Sequence, residues 1–350
     1  MSLKTLRIVP DNADIMQFAK RGRQEDIRSL INKSLASPTD VNDSWGVPVL
    51  SIKYAVQGLH LDLCEFLIKM GAVSSVENRS GVLHKIVLGA VKNDLKAQLQ
   101  LTTSNIDQQD SKGRTPIAWA AARGDEKCVG ILLSFGADPE ISCDTGNNPL
   151  LRSVRAKSTE CVKLLLEYGA NVQARSVLGF TALHYAAYYQ DDEAYLKTLL
   201  DYGAQMDEKD SYGWTPLSCT AEYDHMRCAG ILLEYGASPN LPDKSGWSPI
   251  MRAIRSNSHR VLKLLLDKGA DYCSLSFRLQ TVLHFAAAYG DVDTILLLTD
   301  TKMRGITTDM KDVNGHTAAE IFLSRDVSSS SELANAFTNL LNSVDDLSPC

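Results

Sequence analysis

One phrase returns along this chain at a fixed interval, and it limits the fold more than any other feature. It reads TPIAWAA at Thr115–Ala121, NPLLRSV at Asn148–Val154, TALHYAA at Thr181–Ala187, TPLSCTA at Thr215–Ala221, SPIMRAI at Ser248–Ile254 and TVLHFAA at Thr281–Ala287. Its third residue is apolar each time, at Ile117, Leu150, Leu183, Leu217, Ile250 and Leu283, so the steps are 33 or 34 residues. A second phrase keeps the same beat, with Gly136-Ala137, Gly169-Ala170, Gly203-Ala204, Gly236-Ala237 and Gly269-Ala270. A short period of this kind means a stack of small units, none able to bury its apolar face alone.

One unit follows from residues 213–245. Gly213-Trp214 closes a turn; Thr215 caps a helix and Pro216 occupies its first turn, where a missing N–H is harmless. Leu217–Tyr223 forms a short first helix and His225–Tyr235 a second, which Gly236 stops in the left-handed conformation. The period of about 33 and the T-P-L-H-x-A phrase resemble those of the ankyrin-repeat family. The resemblance covers nearly the whole chain and implies an all-α solenoid of stacked helix–turn–helix units with short β-hairpin tips, elongated and curved.

Weaker copies extend the pattern. GVLHKIV at Gly81–Val87 opens a degenerate unit, residues 81–110, which has lost its Gly-Ala stop and is expected to carry an irregular second helix. VPVLSIKYA at Val47–Ala55 precedes it, and DIMQFAKRGRQEDIRSLI at Asp14–Ile31 reads as part of an N-terminal cap over residues 12–46. Stacked repeats occupy residues 47–314. GHTAAEIFLSR and SELANAFTNLLNSV, within residues 315–344, read as a C-terminal cap with helical spacing at Leu333, Phe337, Leu340 and Leu341. The expectation is a single domain of about ten units over residues 1–350.

Composition narrows the function classes. A net charge of −6 argues against nucleic-acid binding by the whole-molecule field. Apolar runs such as Val129–Leu133 are too short to span a bilayer, and MSLKTLRIVPDNAD lacks the apolar core of a secretory signal. Eight cysteines lie scattered without zinc spacing, and Cys128, Cys161 and Cys228 fall at matching places suited to reduced core residues. The expectations are therefore an intracellular protein, cytoplasmic or nuclear, monomeric, with no metal and no cofactor. No phosphate loop, H-E-x-x-H or G-x-S-x-G motif occurs.

Ankyrin arrays bind through a concave side made of hairpin tips and the exposed ends of first helices. Carried onto this sequence by offset, the tips include Phe180, Trp214 and Trp247, and the helix ends include Tyr188, Tyr189 and Tyr223. Exposed aromatics of this density are either a binding patch for a protein or peptide or a ladder that stabilises the array. The same offsets place Arg123, Arg152, Arg155, Arg252 and Arg255 nearby. These can select a carboxylate or phosphate, which gives a partner with acidic groups; alternatively Arg255 pairs with Glu222 one repeat away. His84, His184 and His284 belong to the family's helix-start hydrogen-bond network. A second function class is a pocket for a small molecule, transformed by cofactor-free acid/base isomerisation or cyclisation, with Glu222, Tyr223 and His225 moving protons and Arg252 steadying negative charge. The non-catalytic interaction module is the preferred reading.

Overall fold

A computed structural model describes residues 8–9, 41–42, 81–88, 94–156, 158–189, 191–325 and 331–345. The expected N-terminal cap and the unit at residues 47–80 lie almost wholly outside these. Only a two-residue parallel pairing is described there, between β1 (Ile8–Val9) and β2 (Val41–Asn42). The chain forms two compact units, residues 1–171 and 172–350.

The first unit carries α1 (Val82–Val87), α2 (Leu95–Leu101), α3 (Pro116–Arg123), α4 (Glu126–Ser134), α5 (Pro149–Arg155) and α6 (Thr159–Glu167). The second carries α7 (Ala182–Tyr189), α8 (Glu193–Asp201), α9 (Pro216–Tyr223), α10 (Met226–Glu234), α11 (Pro249–Arg255), α12 (His259–Asp267), α13 (Val282–Tyr289), α14 (Val292–Asp300), α15 (Ala318–Ser324) and α16 (Ser331–Asp345). Within the second unit, first helices pack on first helices in the order α7, α9, α11, α13, α15. Second helices form a parallel row from α8 to α16. The all-α repeat architecture expected from the period is what the chain adopts.

The local chemistry is as read from the phrase. Thr115, Asn148 and Thr215 each accept a backbone N–H from three residues on, and proline opens α3, α5, α9 and α11. This spares the first helical N–H groups an unmet bond. Apolar residues recur at the inner face of each pair, so that Ile117, Leu150, Leu217, Ile250, Leu132, Leu165, Leu199, Leu232 and Leu265 are all fully buried. In the degenerate unit α2 is a regular helix of 7 residues where its counterparts have 9, and it runs into extended backbone at Thr102 instead of a glycine stop.

The tips are turns fastened to one another. Asp210 N donates to Trp214 O and Gly213 N to Asp210 O, closing one tip. Ser211 N then reaches back to Leu178 O at 2.9 Å, and Lys244 N to Tyr212 O at 3.1 Å, so successive tips share a backbone bond. The tip-start aspartate organises each loop: Asp210, Asp243 and Asp312 each accept the N–H groups two and four residues on through Oδ1. Buried histidines tie three of the first helices, α1, α7 and α13, to the following tip. His184 takes a bond from Thr181 Oγ1 at Nδ1 (2.8 Å) and donates from Nε2 to Trp214 O (3.0 Å); His284 does the same with Thr281 and His316 O. His84 reaches Arg114 O at 2.8 Å. Burial holds all three imidazoles below their ordinary pKa, which favours the neutral form.

Candidate functional site

The geometry of the tip and first-helix face in residues 172–350 follows from the repeat. Equivalent side chains fall on one side, about one helix spacing apart. Two aromatic groups result. In the first, the Phe180 ring stacks on Tyr185 (5.3 Å) and meets Tyr188 edge-on (6.2 Å), and Tyr188 meets Tyr223 at 4.6 Å and Tyr189 at 4.8 Å. Tyr189 and Tyr223 remain 42% and 41% exposed. Burial and the neighbouring Tyr188 push the Tyr223 hydroxyl well above the ordinary phenol range, so it stays protonated.

The second group is a ladder of rings and guanidinium planes. The Arg252 guanidinium lies 3.5 Å over the Trp214 ring and 5.5 Å from Trp247. Trp247 meets Phe285 edge-on at 5.0 Å, and Arg255 sits 5.4 Å from Trp247 and 5.9 Å from Tyr289. Trp214 and Trp247 are thus half-buried rather than displayed, and the arginines cover them.

Those arginines carry their own counter-charges. Arg252 is only 4% exposed. It is paired with Asp243, and it reaches Glu222 at 3.4 Å. Its Nε–H is buried with no partner among the described residues. Arg255 is exposed and holds the other Glu222 oxygen at 3.1 Å. Glu222 therefore clamps both arginines, as the pairing alternative from sequence expects for Arg255. His225 donates from Nδ1 to Ala187 O at 2.8 Å. The acid–base trio Glu222, Tyr223 and His225 is thus engaged within the chain. A shallow groove of about 350 Å³ lies elsewhere, between α12 and α14, lined by His259, Lys263, Leu296 and Asp300 among others.

The remaining predicted residues belong to residues 1–171. Arg123 bonds Val87 O. Arg152 is half-buried on α5; its Nε donates to Ala118 O at 3.2 Å and its guanidinium reaches Cys143 Sγ at 3.8 Å. Arg155 is exposed beside it. Sequence reading passed over a contact that these units share. The tip-start residue folds back onto the residue nine positions later: Asp110 onto Trp119 Nε1 (3.1 Å), Cys143 onto Arg152, Asp243 onto Arg252. The repeated spacing is the signal that could have revealed it.

Comparison with known proteins agrees with the repeat fold. The family model for ankyrin repeats (3 copies) matches residues 83–176 and 183–276. The chain is 52% identical over 42 residues, 12% of its length, to palmitoyltransferase AKR1 of Naumovozyma castellii, covering 6% of that protein. It is 28% identical over 132 residues, 36% of its length, to the B-cell lymphoma 3 protein homolog of Mus musculus, covering 30% of that protein. These matches span less than a third of either relative. The crystal structure of the human ASB11 ankyrin repeat domain superposes with a TM-score of 0.57 at 26% identity, over 65% of this chain and 98% of that one.

Proposed function

The chain belongs to the ankyrin-repeat family, a scaffold for protein–protein interaction, and we propose that it holds a peptide or protein surface against the tips and first helices of residues 172–350. One observation carries the reading. Tyr189, Tyr223 and Tyr289 are 42%, 41% and 43% exposed, and each is backed by further rings or a guanidinium on the same face. Clustered, pre-ordered tyrosines give large contact area at little entropic cost and are enriched in binding hot spots. Trp214, Trp247 and Phe180 act beneath them as the rigid floor. Arg255, exposed and held by Glu222, offers a rim donor.

The test uses two sets of tyrosines matched for exposure. Tyr202 and Tyr235, at 43% and 42%, close second helices and lie outside the proposed surface. Proteins captured by the full chain are compared with those captured by Tyr189→Ala/Tyr223→Ala/Tyr289→Ala and by Tyr202→Ala/Tyr235→Ala. A partner lost from the first variant and kept by the second supports the surface. The opposite pattern refutes it.

A further inference from the structure

The repeat places two arginine pairs at one register, Arg252 with Arg255 on α11 and Arg152 with Arg155 on α5. Around the first pair, Asp243 and Glu222 supply two carboxylates and Trp214 a ring beneath the guanidinium. The corresponding positions around the second pair are Cys143, Ala122 and Arg114. Both carboxylates are gone, and a third cation stands where the ring would be. Arg114 is answered by Asp110 at 2.8 Å. Arg152 has a carbonyl, a sulfur and, at 5.7 Å, the Trp119 ring for partners, and among the described residues no carboxylate is within ion-pair distance of it. Burial, with the like charges of Arg114 and Arg155, lowers its pKa. A half-buried guanidinium lacking its counter-charge is an unmet electrostatic demand.

We propose that Arg152 is the anchor of a carboxylate-binding site in residues 1–171, where a glutamate or aspartate side chain of a partner polypeptide takes the place that Glu222 fills within the chain at Arg252 and that Ala122 leaves open here. This rests on the reading of the chain as a protein-binding scaffold, and it assigns acid recognition to a different set of residues from the aromatic surface. A carboxylate is preferred over a phosphate because two carboxylates are what the sister site holds against its arginine. The flat, forked guanidinium suits a carboxylate, and Arg155 stands exposed next to it. The cysteine is the telling substitution. Its sulfur keeps the tip-start position occupied but brings no carboxylate to the arginine.

The experiment titrates the full chain with a short fluorescently labelled poly-glutamate peptide, a poly-glutamine peptide and a phosphoserine peptide, read by anisotropy. The glutamate peptide is expected to bind, more weakly as salt rises, and the glutamine peptide not to. Cys143→Asp restores the internal acid and is expected to weaken binding about ten- to a hundredfold, the range for a lost charge-assisted hydrogen bond. The same variant should unfold at a higher temperature than the native chain, which separates lost binding from lost folding. No saturable glutamate binding, or binding untouched by Cys143→Asp, overturns the site. Binding of the phosphoserine peptide alone overturns the carboxylate assignment. Tyr189→Ala/Tyr223→Ala should leave this titration unchanged, so failure of the aromatic surface appears only in the capture experiment. Loss of glutamate binding in that variant would move the acid site to the aromatic face and refute the Arg152 assignment.

Discussion

The Arg252 guanidinium lies flat over the Trp214 ring, 3.5 Å from its centre, while Asp243 and Glu222 hold its edge. An arginine from one repeat thereby seals a tryptophan from the preceding tip. The cation is desolvated, so the ring contact and the ion pairs are both stronger than they would be in water.

Removing this arginine should be far costlier than removing its neighbour. Arg252→Ala leaves the Asp243 carboxylate buried without a counter-charge, and the expected loss is about 3–5 kcal/mol in urea denaturation. Arg255→Ala breaks an exposed pair and should cost less than about 1 kcal/mol. Equal losses would show that the buried cluster is not a stabilising unit.

Two glycines with similar backbone angles separate conformation from space. Gly213 (φ 82°) and Gly236 (φ 94°) both sit in the left-handed region. A Cβ at Gly236 meets open space, whereas one at Gly213 falls 2.7 Å from Lys244 N, the atom that ties adjacent tips. Gly236→Ala should cost about 1–2 kcal/mol from backbone strain alone. Gly213→Ala should cost at least about 1 kcal/mol more, measured by the same denaturation, because the tips must separate.

Stability should fall as the solution becomes acidic. Burial lowers the pKa of His84, His184 and His284 in the folded chain below the unfolded value of 6.5. Below that value the unfolded state binds more protons, so their contribution is complete above pH 6.5 and is lost as pH drops towards the folded values. At Asp110 burial alone would raise the carboxyl, but the Arg114 backbone bond and charge outweigh it and leave it below the usual range. Its contribution is lost at still lower pH, in the same direction. Urea midpoints at neutral and mildly acidic pH should therefore differ, and His184→Gln/His284→Gln should narrow the gap.

Hydrogen exchange should be uneven. The helix Leu95–Leu101 is two residues shorter than its counterparts, ends without a glycine stop and leaves Leu101 82% exposed. Amides there should exchange faster than those of Met226–Glu234, where Cys228, Ala229 and Leu232 are fully buried. Equal protection would mean that the glycine stop contributes little to local stability.

The architecture was legible because repetition multiplies a weak signal. Thr115-Pro116 and Thr215-Pro216 predict helix starts by capping chemistry, and Gly236 predicts a stop. The offsets also put Phe180, Tyr188 and Tyr223 in one group, as the structure has them. What offsets along a helix leave out is the return contact between a tip and its own helix. Arg252 reads from sequence as a cation available to a partner's acid because Asp243, which pairs with it, lies nine residues upstream, across a turn. Trp214 looked displayed because its cover comes from the following repeat, 38 residues on. Contacts between repeats depend on the sequences of two units at once, and a single-unit pattern carries no record of them.

Each of these buried histidines looks forward along the chain. His84 Nε2 needs the carbonyl of Arg114, His184 that of Trp214, and His284 that of His316. During synthesis, the buried imidazole of one repeat therefore waits for the tip of the next to leave the ribosome, so maturation trails translation by about one repeat. The same polarity makes the array unequal under shortening. A chain ending just after Gly203 would keep the His184 donor without its acceptor, while a chain starting at Thr215 loses the Trp214 acceptor together with the histidine that used it.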